Sequence, residues 1–227
     1  MARIPVASPA DLVPARLRDR VTTAGRLAAD VAALDDARLG TLPAPVALAP
    51  LLPRGGVERG RVYACGGDAP LSLLWTLVAP ATREGSWLVL LDMDHAGLLA
   101  AHENGVALER TVCVSSGEGP GRDERRLRVL GTLLDGFDVV VAEAPACADA
   151  EARRLVSRAR AAGAVLVFTG APGVFAVDVS LRARTRSWDF DLHARARTVE
   201  VRATGRRVHG SPMCVLQMPA ADASRHH

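Results

Sequence analysis

Gly66, Gly67 and Asp68 lie between a short apolar run, Arg61–Cys65, and a helix-like stretch, Leu71–Thr82. That is where a nucleotide-binding chain holds phosphate. A phosphate loop needs G-x-x-x-x-G-K-[ST], with glycines for close backbone approach, Lys for the outer phosphates and a hydroxyl for magnesium. Here the opening glycines are present, but Ser72 takes the place of the Lys. Leu71 and Leu73 stand where the second glycine and the hydroxyl belong. The chain contains no Lys, so all 28 of its Lys+Arg residues are Arg and no Lys can be supplied from elsewhere. Asp68 adds a negative charge facing the phosphates. Gly66, Gly67, Asp68 and Ser72 therefore read as a vestigial phosphate loop, with the topology kept and the chemistry reversed.

Two acidic positions complete the comparison with an ATPase. The apolar run Trp87–Asp92 ends in Asp92 and Asp94, two residues apart and so on one face, with His95 beside them. Ligands of open α/β sheets bind at the carboxyl ends of strands, which makes Asp94 the leading candidate for a general base. Its alternative role is the N-cap of a helix over Ala96–Asn104. The run Phe137–Ala142 ends on Ala142 where an ATPase holds an Asp for magnesium, and Glu143, one residue on, points to the other face. Asp94 and Glu143 are thus vestigial too, and no catalytic residue, cofactor or metal is expected.

Basic character is concentrated late. Net charge is +3, too small by itself to argue for nucleic acid, but from Arg182 to Arg207 eight Arg face Asp189, Asp191 and Glu200, a local balance of +5. Arg182, Arg184 and Arg186 alternate along an extended segment and lead to Trp188, with Arg206 and Arg207 further on. Arginines beside an aromatic suit single-stranded nucleic acid or an acidic partner. The same pattern also guards an edge strand.

The elements that position these residues alternate strand and helix from residue 51 to 145, which predicts a mostly parallel sheet covered by helices on both faces. Strands are expected at Arg61–Cys65, Trp87–Asp92, Thr111–Val114, Phe137–Ala142 and Ala164–Thr169. Helices are expected at Leu71–Thr82, Ala96–Asn104, Asp123–Leu134 and Asp149–Ala162. After Gly170 the helical pattern stops, and antiparallel strands turn around Gly205 and Gly210. Before this unit, apolar residues at helical spacing predict a long amphipathic helix over residues 1–40, with Val21, Leu27, Val31 and Leu34 as a docking face. A Pro-rich linker, 41–54, separates it from the domain 55–218, and residues 219–227 read as a disordered tail. Four widely spaced cysteines, three within apolar runs, read as small core hydrophobes of a reduced compartment. No apolar stretch approaches a membrane span of ~18 residues.

The order of LLPRGGVERGRV before a glycine turn, LLDMDHAG, GVALERTVCVSS and DGFDVVVAEAP resembles the core of RecA-type recombinases over about residues 48–170. In that family the positions of Ser72, Ala142 and Asp94 carry the phosphate Lys, a magnesium-associated Asp and a catalytic Glu. Without its phosphate loop, in an Arg-only chain, this RecA-like core looks most like the actinobacterial ImuA-type proteins within the wider SulA/ImuA group. The resemblance implies a non-enzymatic adaptor of the SOS-induced mutasome in DNA repair by translesion synthesis. Its implied partners are an ImuB-like inactive Y-family polymerase homologue, an error-prone C-family polymerase through that complex, RecA and single-stranded DNA. It also implies a bacterial, cytoplasmic, nucleoid-associated protein without a membrane partner. A SulA-like cell-division inhibitor and a weak atypical ATPase are the alternatives.

Overall fold

The computed structural model describes residues 40–190 and 194–218. Among these, β1 (Thr41–Leu42) pairs antiparallel with β2 (Val57–Glu58), and eight further strands form one sheet. These are β3 (Val62–Gly67), β4 (Leu88–Leu91), β5 (Thr111–Val114), β6 (Val139–Ala142), β7 (Val165–Thr169), β8 (Val179–Phe190), β9 (Ala194–Thr204) and β10 (Met213–Met218). Their order across the sheet is β10-β9-β8-β3-β7-β6-β4-β5. From β8 to β5 every neighbouring pair is parallel, and β8–β9 and β9–β10 are antiparallel. The fold is therefore the expected α/β architecture.

Continuous apolar runs become strands buried on both faces. β4, β6 and β7 are buried at every residue, as a sheet covered by helices requires. Helices α1 (Pro70–Arg83) and α2 (Leu98–Glu103) cover one face, where Leu73, Leu74, Trp75 and Leu77 meet Tyr63, Cys65, Leu90, Val167 and Leu181. Helices α3 (Arg122–Leu134) and α4 (Asp149–Ala162) cover the other, with Leu130, Leu134, Leu155 and Ala159 against Val89, Val140, Leu166 and Phe168. That second core contains no residue of β8, β9 or β10. Beyond β3, no helix among the described residues covers that face of the sheet.

Several expectations are corrected. The Pro-rich stretch is not a spacer: the compact unit begins at Thr41, and Leu42, Leu48, Leu51 and Leu52 are buried in the first core. Prolines there shape a 3-10 turn at Ala49–Leu51 rather than a free linker. The segment after Gly170 is not antiparallel from its start, because β8 pairs parallel with β3 before β9 returns antiparallel to it. Trp87–Asp92 shortens to β4 because Asp92 leaves the strand with a left-handed backbone, φ 52°. Cys65 is buried and its thiol is pushed up to about 12 by burial, but Cys113 is exposed on the edge strand β5 and is no core residue. Val21, Leu27, Val31 and Leu34, like the predicted tail at 219–227, lie outside the described residues. Among the described residues, no helix is long and apolar enough to cross a membrane.

Candidate functional site

The glycine loop leaves β3 directly against β8. A Cβ on Gly67, whose φ is 95°, would run into the Ala183 carbonyl, so only glycine permits this approach. The Asp68 amide then donates to Ala183 O at 3.1 Å, and the Thr185 amide donates to Asp68 Oδ2 at 2.9 Å. A backbone amide and a side chain that would face a phosphate are both spent on β8. Chiefly through the Thr185 amide, with help from the charges of Arg184 and Arg197, the Asp68 carboxyl is held below the usual carboxylate range. Asp68 therefore works as a clamp on β8, a role its sequence context did not show.

Arg197 closes the loop from β9. Its guanidinium donates to Ser72 Oγ, in the first turn of α1, and lies 5.1 Å from the centroid of the Trp188 ring, within cation–π range. Burial pulls its pKa down while the Asp68 charge pushes back. A cation thus stands beside the start of α1, but it comes from the far end of the chain and is engaged by the protein itself. At the positions of the magnesium ligands, Leu73 is fully buried in the core and Ala142 is buried at the end of β6. Neither offers an oxygen ligand from its side chain.

The acidic positions separate. The Asp92 side chain is buried, with Arg126 Nε 2.8 Å from its Oδ2, and it accepts bonds from the Ser116 amide at 2.7 Å and the Ser116 hydroxyl at 2.6 Å. Burial works to raise its pKa, but the Ser116 bonds and the charges of Arg126 and Arg122 outweigh it, and the carboxyl sits below its ordinary value. Asp94 is exposed and does not share that environment. Nor does it cap a helix, since α2 begins after Gly97 with no side-chain cap. Glu143 is also exposed, and its Oε1 lies 3.7 Å from His95 Nε2. The expected shared face of Asp92 and Asp94 fails because the left-handed turn at Asp92 breaks strand alternation. Among the described residues, no group of three His, Cys, Asp or Glu side chains is placed to hold a metal.

The Arg cluster divides in three. Arg182 and Arg184 are exposed beside buried Leu181 and Ala183, and Arg186 pairs with Glu200 on the same uncovered face. Arg202, across from Arg182, joins them and lies 3.6 Å from Glu200 Oε1. Trp188 does not belong to this row. A register irregularity between Thr185 and Ser187 shifts the phase, so Trp188 is opposite Arg197, whose side chain reaches α1. Arg206 and Arg207 are at the other end of the ribbon, apart from this row, and each holds an acidic side chain. Arg207 holds the buried Glu58 through two bonds of 3.0 Å, and Arg206 pairs with Asp178 at 2.9 Å. Sequence reasoning missed Arg126, Arg197 and Arg202 because each acts on a residue distant in the chain or across a strand pair.

No curated protein matches the chain. The model of one family, described as the MT3502 N-terminal domain, matches residues 50–173, more than half of the chain and all of it from before β2 to beyond β7, and the chain belongs to that family.

Proposed function

We propose that the chain is a non-catalytic accessory protein of damage-induced translesion DNA synthesis, an adaptor that holds an ImuB-like inactive Y-family polymerase homologue and, through it, an error-prone C-family polymerase. One observation carries the non-catalytic part of this reading. The loop that would hold phosphate is occupied from within, by the Ala183 carbonyl, the Thr185 amide and Arg197. A RecA-like core whose nucleotide edge is spent on its own strands offers surfaces rather than chemistry. The ordered motifs of residues 48–170 supply the pathway by resemblance. Arg182, Arg184 and Arg186, on a face that no helix among the described residues covers, suit contact with single-stranded DNA or with RecA. A bacterial, cytoplasmic and nucleoid-associated location follows from this role.

The test is retention of an ImuB-like partner on the immobilised chain with and without ATP and magnesium, alongside calorimetry with the nucleotide alone. Retention unchanged by nucleotide, with no saturable heat, is the expected result. Retention that requires ATP would overturn the reading and make the chain a nucleotide-gated switch.

A further inference from the structure

Among the described residues β10 is an edge strand, and it lacks the usual guards. Natural edges are blunted by charge, proline, a bulge or shortness. The other edge strand, β5, is four residues long and follows Arg110. β10 is six residues, Met-Cys-Val-Leu-Gln-Met, with no charge, proline or register irregularity.

Its free groups can be assigned. The Ala203 amide donates to Pro212 O at 2.9 Å, and Met213 is opposite Arg202. Antiparallel alternation then turns the amides and carbonyls of Cys214, Leu216 and Met218 toward β9, and those of Met213, Val215 and Gln217 toward the open edge. The side chains of these last three lie on the uncovered arginine face and are exposed, Val215 by 56%. Arg202 leans toward the edge, its Nη2 donating to Met213 Sδ at 3.6 Å. On the opposite face Cys214 and Leu216 are partly buried against the first core.

We infer that β10 receives an extended segment of another protein as an added antiparallel strand, with acidic residues on one of its faces and aliphatic residues on the other. Acidic side chains of such a strand would meet Arg202 and, behind it, Arg182 and Arg184. Its aliphatic side chains would extend the core beside Cys214 and Leu216. A second copy fits worse: pairing β10 with itself about a twofold axis sets two faces side by side, each with Arg182, Arg184, Arg186 and Arg202 against only Glu200 and Asp189 among the described residues. This surface goes beyond the adaptor reading and does not depend on it.

The experiment is fluorescence anisotropy of a labelled octapeptide alternating valine and glutamate, titrated with the full chain. Saturable binding is expected, weakened at least about tenfold when lysine replaces glutamate or when Arg202→Glu is introduced. Val215→Pro removes an outward amide that β9 does not use, and an edge strand tolerates proline. It should weaken binding about tenfold while the thermal midpoint stays close to that of the parent. On the parent protein, N-methylation of the glutamate amides should abolish binding and N-methylation of the valine amides should not. No saturable binding, equal binding of the lysine peptide, or equal effects of the two methylation patterns would overturn the proposal. So would a dimer in sedimentation that Val215→Pro converts to monomer, because the occupant of the edge would then be a second copy.

Discussion

In the parallel half of the sheet, β4, β6 and β7 are buried residue after residue between α1–α2 and α3–α4. β8 and β9 alternate instead: Leu181, Ala183, Val199, Val201 and Ala203 are buried toward α1, and Arg182, Arg184 and Arg202 are exposed on the far side. The difference shows where evolution of a binding surface has room. A strand buried on both faces cannot change a side chain without changing the core, whereas a strand covered on one face can carry charge on the other at little cost. The two halves meet at Gly67, where the loop after β3 is the joint between them. The proposed contacts therefore lie on the open face of the ribbon and not at the carboxyl edge of the parallel strands.

The joint can be broken most directly at Gly67. Gly67→Ala combines a positive φ with a collision against the Ala183 backbone, and should cost about 4 kcal/mol of unfolding free energy in a denaturant melt. Gly66→Ala, one residue earlier, has nothing closer than Arg182 Nη1 at 3.7 Å to meet and should stay within about 0.5 kcal/mol. Equal losses at the two glycines would mean that β8 is not pressed on the loop as described.

A second tie joins the ribbon to β2 through Arg207 and Glu58, whose side chain is 3% exposed. Arg207→Met should cost about 3 kcal/mol by leaving a buried carboxylate uncompensated, the low end of such losses because Arg207 is itself about one-third exposed. Restoration of stability by adding Glu58→Gln would sharpen the point, since the double variant removes the orphaned charge.

Within the parallel half, the Asp92–Arg126 pair should give acid sensitivity. The folded carboxyl is held below its ordinary value, so its contribution is full above that value and is lost as pH falls through the lower, folded one. Asp92→Asn should therefore lower stability at neutral pH by about 2 kcal/mol, and its gap to the parent should narrow below about pH 4. A gap independent of pH would remove the ion pair from the account.

The smallest effect should be at the open face. Val215→Thr should change stability by no more than about 0.5 kcal/mol, whereas Leu90→Ala, in a strand buried on both faces, should cost about 3 kcal/mol. Comparable losses would mean that the ribbon's outer face is covered.

Much of this molecule follows from local pattern. Continuous apolar runs are strands buried on both faces because only a covered sheet hides every side chain from water, and Thr111–Val114 and Asp149–Ala162 have the bounds their spacing predicts. The departure from a standard phosphate loop was equally legible, since it rests on residue types: no Lys in the chain, Ala at 142, Leu at 73. The left-handed turn at Asp92 was not, because it depends on Ser116 and Arg126, 24 and 34 residues away. Nor was the burial of Leu48 and Leu51 within a Pro-rich stretch, since composition records the prolines and not the core they pack against. The roles of the arginines were the least legible. One residue type serves as clamp at Arg197, counter-charge to a buried carboxylate at Arg207 and open surface at Arg202, and only the strand register and the helices above it determine which. Residue chemistry alone ruled out a standard phosphate loop, while the packing of β8 and β9 on the loop after β3, a contact more than a hundred residues long in sequence, decided what Asp68 and Ser72 bind instead.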